Sequence, residues 1–258
     1  MKFKKSHQSI DLQSRFLKAI QFYWTTRSKQ QNKQINNGIV SDAGLRSSVT
    51  GGAQMSALEK LVSDVLIEAG IPKDAIQTGT KLELPGYFRS EKKWDLVVVS
   101  EGQLVAAMEF KSQAGPSFGN NFNNRTEEAI GSAKDILTAY REGRLGKRDG
   151  FRPLLAYFFL LEDCEQVRKP VKNAEPHFEV ETDFKNASYA RRYELLCKRL
   201  VREQLYDVAC LTLATKSAKT IIEHPSSDVS FHHFMTTIKS QATKWLSILE
   251  QEEKQNNI

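Results

Sequence analysis

Asp95, Glu109 and Lys111 are ionisable residues set into a stretch that is otherwise largely apolar, Lys93-Trp-Asp95-Leu-Val-Val-Val-Ser-Glu-Gly-Gln-Leu-Val-Ala-Ala-Met-Glu109-Phe-Lys111. Two apolar runs meet at a glycine-containing turn, which predicts a β-hairpin. Alternation along the second run puts Glu109 and Lys111 on one face and Phe110 on the other. A three-residue loop, Glu101-Gly102-Gln103, would pair Ser100 with Leu104. That register carries Asp95 opposite Glu109, where cross-strand Cβ atoms lie about 5 Å apart.

Two carboxylates at that separation repel, and apolar surroundings raise the cost further. A divalent cation resolves the conflict. Carboxylate oxygens are hard ligands suited to Mg2+, which keeps several waters and accepts phosphate oxygens. Asp95, Glu109 and the backbone carbonyl of Phe110 are the predicted metal ligands, because that carbonyl lies between the two functional side chains of its strand. Lys111 would orient or activate the attacking water and stabilise charge in the transition state. These are the parts that phosphodiester hydrolysis needs. A cross-strand salt bridge on a solvated face uses the same residue types, and spacing alone does not choose between the two.

The elements that must position this hairpin can be read from periodicity. A helix is predicted over Ser9–Gln34, with Leu12, Phe16, Ile20 and Tyr23 on one stripe and a polar end beyond Trp24 that is solvated or near DNA. The stretch from Asn36 to Gly52 reads as loop. A second helix spans Ala53–Ala69, and at about 100° per residue Glu59 falls at the rim of its apolar face. Strands are predicted at Ile76–Leu84, Lys93–Ser100 and Gln103–Ser112, then a loop at Ala114–Asn123 and a helix from Asn124 to Arg141. Asn124 followed by Glu127 resembles a capping box. Leu154–Leu161 and Asp207–Ala214 suit strands buried on both faces. Helices are predicted at Ala187–Leu205 and Ser230–Glu250, with a fraying tail from Gln251. The economical architecture is one α/β domain over 1–258, a mixed central β-sheet flanked by α-helices. Within it, 1–52 form an N-terminal helix and loop, 53–163 the catalytic core and 164–258 the C-terminal part.

Composition narrows the function classes. The 258 residues are 40% hydrophobic and 26% charged, as in ordinary globular proteins. No apolar run approaches the ~18 residues that cross a bilayer, and no signal-like segment follows the start, so no membrane and a cytoplasmic location are expected. Cys164, Cys197 and Cys210 are widely spaced and read as free thiols. The five histidines have no metal-ligand spacing. No phosphate-binding loop of the G-x-x-x-x-G-K-[ST] type is present, which argues against ATP-driven translocation. A net charge of +6 is compatible with a polyanionic partner such as double-stranded DNA.

The D…E-x-K pattern resembles the PD-(D/E)xK nuclease superfamily, with Trp94 standing where proline often occurs. The surrounding residues are more specific. Glu109-Phe-Lys-Ser-Gln-Ala-Gly-Pro-Ser-Phe-Gly-Asn-Asn-Phe-Asn-Asn-Arg-Thr-Glu-Glu-Ala-Ile130, Val49-Thr-Gly-Gly-Ala-Gln-Met55, Glu175-Pro-His-Phe178 and Ser188-Tyr-Ala-Arg-Arg-Tyr-Glu-Leu-Leu196 are similar to the XhoI family of type II restriction endonucleases. The resemblance runs from the first helix to Ser230-Phe-His-His-Phe234. It implies a restriction-endonuclease-like core and a homodimeric, Mg2+-dependent enzyme that cuts both strands of a palindrome, CTCGAG, leaving 5′ overhangs. It also implies a cognate DNA methyltransferase in the same restriction-modification system, which acts on the same site but need not bind this chain. In some superfamily members a helical acid joins the metal site, which is the role Glu59 would take; a rim salt bridge is the alternative.

Gln113 to Arg125 follows the catalytic strand and is rich in Asn, Gln and Gly. Asn and Gln can read adenine bidentately and Arg suits guanine. Gln113, Asn120, Asn121, Asn123, Asn124 and Arg125 are therefore the DNA-contact candidates, against the plainer reading that they serve the turn and the helix cap. Arg46, Thr50 and Gln54 surround a second Gly-rich loop that could approach phosphate. Arg191 and Arg192 share a helix, where such a pair often only meets solvent. Two other readings of the whole chain keep the same fold: a structure-specific repair or recombination nuclease, and a non-catalytic DNA-binding protein.

Overall fold

The apolar runs pair into one mixed sheet in the computed structural model, which describes residues 7–36, 53–146 and 151–256. The elements in chain order are α1 (His7–Asn36), α2 (Ser56–Glu68), β1 (Ile76–Thr78), β2 (Glu83–Pro85), β3 (Glu91–Lys93), β4 (Leu96–Ser100), β5 (Gln103–Gln113), α3 (Phe118–Arg141), β6 (Leu154–Glu162), α4 (Glu165–Arg168), α5 (Tyr189–Arg202), β7 (Val208–Ala214), β8 (Ile222–Glu223) and α6 (Phe231–Asn256). Six strands form the main sheet in the order β1-β4-β5-β6-β7-β8, and β2 pairs β3 in a separate ribbon. The central pairs β5–β6 and β6–β7 are parallel, and the outer pairs are antiparallel. Parallel strands at the centre are covered on both faces, which is why β6 and β7 consist almost wholly of buried apolar residues.

Two cores lie on opposite faces of this sheet. On one, Leu96, Val98, Met108, Phe110 and Phe158 meet residues of α1, α2 and α6. Phe16 of α1 stacks on Phe231 of α6 with centroids 3.7 Å apart. On the other, Val97, Ala107, Tyr157 and Phe159 meet α3, α5 and the β2–β3 ribbon. Fully burying each such side chain contributes roughly 1.5–3 kcal/mol, so the sheet is fixed from both sides.

The hairpin that carries Asp95 and Glu109 reaches the expected register by a different route. The loop is not three residues but two: Ser100 pairs with Gln103, and both Glu101 (φ 50°) and Gly102 (φ 70°) are left-handed, as a type I′ turn requires. Unmodified, this turn would set every later pair off by one. The register then shifts between Val98 and Val99, so that Val105 has no partner and Leu96 again faces Met108. The resulting β-bulge is visible in the packing, since the consecutive residues Val105 and Ala106 both join the same core.

Other expectations are corrected. The strand predicted at Ile76–Leu84 is broken by the left-handed residues Gly79 and Lys81, and its second half joins the β2–β3 ribbon. The strand predicted at Lys93–Ser100 is likewise two, with Trp94 and Asp95 between β3 and β4. Asn124 does not cap a helix: α3 begins at Phe118, and Ser117 stands at its N-cap. Here packing overrides the weak helix propensity of Gly and Asn. Phe118 and Phe122 hold the first turns against Tyr189 and Tyr193 of α5, with centroids 6.0 and 5.1 Å apart. Gly119 permits that contact, because a Cβ there would lie 2.8 Å from the Tyr189 hydroxyl oxygen. At the other end α6 continues to Asn256 rather than fraying from Gln251, in a run of helix formers with no Gly or Pro. The polar end of α1 is not simply solvated either, since Arg27 is buried. All three cysteines are free, and among the described residues no helix is long and apolar enough to cross a membrane.

The turn assignment has a direct test in thermal unfolding. Gly102→Ala should lower stability by about 1 kcal/mol and Glu101→Asn should raise it by a few tenths, because only the second substitution suits a positive φ.

Candidate active site

Asp95 lies one residue before the β4 ladder begins and brackets Glu109 from both sides. Its backbone N–H donates to the Met108 carbonyl at 3.2 Å, and its side-chain Oδ2 accepts from the Phe110 N–H at 2.8 Å. The break after β3 thus frees Asp95 from strand pairing while tying it to β5. Lys111 follows Glu109 on the same face of β5. Its Nζ is 3.7 Å from Asp95 Oδ2 and 3.5 Å from Glu109 Oε1, so one ammonium group bridges the two acids.

The site is graded from interior to solvent. The Glu109 side chain is 2% exposed, Lys111 22% and Asp95 33%, so the Asp95–Lys111 side is the one a substrate can reach. Burial alone would push the Glu109 carboxyl up, but the ammonium groups of Lys111 and Lys92 outweigh it and hold the group below its ordinary range. For Lys111 burial works against the charge, and Glu109 and Asp95 more than restore it, so its pKa is raised. Tyr206 shares its hydroxyl proton between Glu109 Oε2 and the Ala129 carbonyl, both at 3.3 Å. Burial and the neighbouring Glu109 raise the Tyr206 phenol well above its usual value, which keeps it a donor.

Glu59, on α2, approaches the open side of the site. Burial and then the charge of Asp95 raise its carboxyl to about 7. It does not complete a three-acid cluster: among the described residues no group of three or more His, Cys, Asp or Glu side chains is placed to hold a metal ion. The carboxylates that Lys111 brings together are two, Asp95 and Glu109. That suits Mg2+, which is held by one or two carboxylates with water and phosphate oxygens completing the shell.

The remaining sequence candidates fall in different places. Asn120, Asn123 and Asn124 are exposed on the first turns of α3, Asn121 is half-buried and donates to the Ser117 carbonyl, and Arg125 pairs with Glu128 at 2.6 Å. Arg125 and Glu128 are also among the charges that act on Lys111, so this end of α3 borders the site. Gln113 points inward: it is buried, accepts from the Tyr193 hydroxyl and donates to the Ser117 carbonyl at 2.9 Å. Its observed contacts position the turn before α3. Gln54 is buried just before α2, and Arg46 and Thr50 lie outside the described residues. Arg191 pairs with Glu194 and Asp183, and Arg192 donates to the carbonyls of Ala187 and Val171.

Two site residues escaped the sequence reading, Lys92 and Tyr206. Lys92 bonds Glu109 Oε1 from β3. It sits in a Glu-Lys-Lys run that looks like a solvated edge, and the signal that could have found it is strand alternation with the apolar Trp94. The ribbon that carries it is held by a distant residue. Asp135 of α3 accepts from the N–H groups of Tyr87 and Phe88 at 2.7 Å each and pairs with Arg89 at 2.8 Å.

The raised Glu59 carboxyl predicts a pH dependence of stability. Unfolded, the group ionises near 4.5, and folded near 7. The stability it contributes when protonated is therefore present below the first value and lost as pH rises through the second. In urea denaturation without added metal, Glu59→Gln should gain about 1–2 kcal/mol on wild type between pH 5 and pH 8, allowing for partial exposure. A difference that does not change with pH would contradict this.

Comparison with known proteins gives the family. The family model described as restriction endonuclease XhoI matches residues 33–225. The type II restriction enzyme BstVI of Geobacillus stearothermophilus is 45% identical over 214 residues, covering 80% of this chain and 93% of that enzyme. The type II restriction enzyme XhoI of Xanthomonas vasicola is 45% identical over 181 residues, 69% of this chain and 71% of that enzyme. AbrI of Azospirillum brasilense, also a type II restriction enzyme, is 43% identical over 169 residues, 65% of this chain and 74% of that enzyme. No solved structure matches the chain. With the family model spanning most of its length and relatives 45% identical, the chain belongs to the XhoI family of type II restriction endonucleases.

Proposed function

We propose that this chain is a Mg2+-dependent, sequence-specific endonuclease that cuts both strands of the palindrome CTCGAG and leaves 5′ overhangs. The observation that carries the reading is the Lys111 ammonium held 3.7 and 3.5 Å from Asp95 and Glu109, on the side of the site that opens to solvent. Asp95 and Glu109 would hold the cation. The Phe110 carbonyl is a further ligand candidate, because a strand residue's N–H and C=O leave on the same side and the Phe110 N–H points at Asp95. Glu59 is a second-rank candidate, near Asp95. When bound, the cation supplies Lewis acidity at the phosphate and lowers the pKa of water.

Lys111 does the remaining positioning. With no cation bound, the charges of Glu109 and Asp95 raise its pKa and hold it as an ammonium group between the two acids. It can orient the attacking water and stabilise negative charge gathering on the phosphoryl oxygens as one P–O ester bond breaks. The exposed Asn120, Asn123 and Asn124, with Asn121 and Arg125 beside them, form the face of α3 proposed to meet the duplex, and Arg46 and Thr50 are proposed for phosphate contact, with the buried Gln54 serving that loop from within. Gln113 would serve by holding the turn that presents α3. The chain is proposed to act as one domain and to read its palindrome as a homodimer, since two-fold related subunits match two-fold related half-sites. A methyltransferase for the same site would protect the host without needing to bind the nuclease.

Run-off sequencing of plasmid ends after digestion with Mg2+ tests site and cut position together. Cuts in both strands at CTCGAG are expected; branch-dependent nicking or no cleavage would overturn the proposal. Lys111→Ala should lose about 10²–10³-fold or more in cleavage rate while binding the cognate duplex within a few-fold of wild type. Normal turnover by this variant would remove Lys111 from the mechanism. Sedimentation of the protein on a CTCGAG duplex should give two subunits per duplex, and a monomer on DNA would contradict the symmetric reading.

A further inference from the structure

The buried end of the site holds a cation that the mechanism above does not use. Lys92, the middle residue of β3, runs over the face of Trp94 with Nζ 4.3 Å from the ring centroid, and bonds Glu109 Oε1. Its other hydrogen bond goes to the Lys93 carbonyl at 3.3 Å. Lys111 Nζ stands 3.5 Å from the same Glu109 oxygen, and the Tyr206 hydroxyl takes the other oxygen at 3.3 Å. Both oxygens of the proposed metal ligand are therefore already engaged, one of them by two ammonium groups.

Formal charges sharpen the point. Asp95 and Glu109 are matched by Lys92 and Lys111, so these four groups are neutral together before any metal binds, and only an ionised Glu59 beside Asp95 adds a further negative charge. A divalent cation added to that set leaves two positive charges uncompensated in a largely buried space, which is unfavourable at low local dielectric. The surplus falls if one ammonium withdraws, and falls further if a phosphodiester arrives. Lys111 bridges both acids from the same strand. Lys92 reaches the site from the separate β2–β3 ribbon, pairs with Glu109 but not with Asp95, and has the Lys93 carbonyl and the Trp94 face to hold it when it lets go, and so is the group able to withdraw.

We propose that Lys92 is a resident counter-ion that competes with the divalent cation for Glu109 Oε1 and keeps the DNA-free enzyme poorly loaded with metal. The proposal rests on Glu109 being a metal ligand. Its consequence is that metal and DNA bind with positive coupling: the phosphate neutralises the charge that Lys92 and the metal cannot share. A nuclease loaded only on its substrate does not carry an armed site through the cell.

The test measures Mn2+ binding to the DNA-free protein by titration calorimetry and by the electron paramagnetic resonance signal of free Mn2+. Wild type is compared with Lys92→Met, Lys92→Gln, Lys92→Arg and Glu109→Gln. Lys92→Gln removes the charge but keeps a hydrogen-bond donor for the carboxylate, so it remains informative should Lys92→Met fail to fold. Loss of the charge should tighten Mn2+ binding by about tenfold or more. Lys92→Arg should bind no tighter than wild type, and Glu109→Gln should abolish binding. Binding that Glu109→Gln abolishes but Lys92→Gln leaves unchanged or weakens would overturn the competition while sparing the metal site. Absence of Mn2+ binding in every variant, with and without DNA, would overturn the metal reading itself.

Discussion

A carboxylate sealed inside a protein is the constraint around which this structure is organised. Glu109 sits on the central sheet with almost no exposure, where an unpaired charge would neutralise itself by taking a proton. Three groups prevent that: Lys111 from its own strand, Lys92 from the β2–β3 ribbon and the Tyr206 hydroxyl from just before β7. Removing one partner of such a buried pair costs about 3–5 kcal/mol. The ribbon, the bulged hairpin and the approach to β7 must all be in place before the anion is tolerable. Chemistry and folding are therefore coupled at one residue.

The architecture keeps that anion rigid while leaving its neighbours accessible. Glu109 and Lys111 lie where β5 is laddered to β6, whereas Asp95 sits in a break and Glu59 on a helix rim. The rigid part of the centre is internal, and the part that meets solvent comes from where regular pairing ends. The same division holds for α3. Its aromatic residues Phe118 and Phe122 are packed on α5, and Asn120, Asn123 and Asn124 are exposed on the resulting fixed helix. Side chains carried on a packed helix cost less ordering entropy on meeting any partner than side chains on a free loop.

Much of this was legible in the sequence because it depends on local pattern. The buried strands at Leu154–Leu161 and Asp207–Ala214 show as continuous apolar runs, and the convergence of Asp95, Glu109 and Lys111 follows from strand alternation about a glycine turn. What stayed hidden depends on contacts between distant segments. The β2–β3 ribbon is pinned by Asp135, over forty residues further on, so Lys92 looked like one more surface lysine. The start of α3 looked like a loop because Gly119 and four asparagines disfavour helix locally, and only their packing against Tyr189 and Tyr193 reverses that. Gln113 looked like a base reader because a glutamine gives no sign of which way it will face until Tyr193 is placed beside it.

The unpartnered Val105 has a consequence for how such centres are recognised. A tight turn plus one looped-out residue and a wider turn with none deliver the acids to the same face. A hairpin that kept the tight turn and dropped the looped-out residue would also deliver them, with one fewer position between the two carboxylates. Counting intervening letters is therefore a poor ruler for this chemistry. Strand phase is the quantity that fixes the geometry, and gap length can change by one as long as the two acids stay on one face.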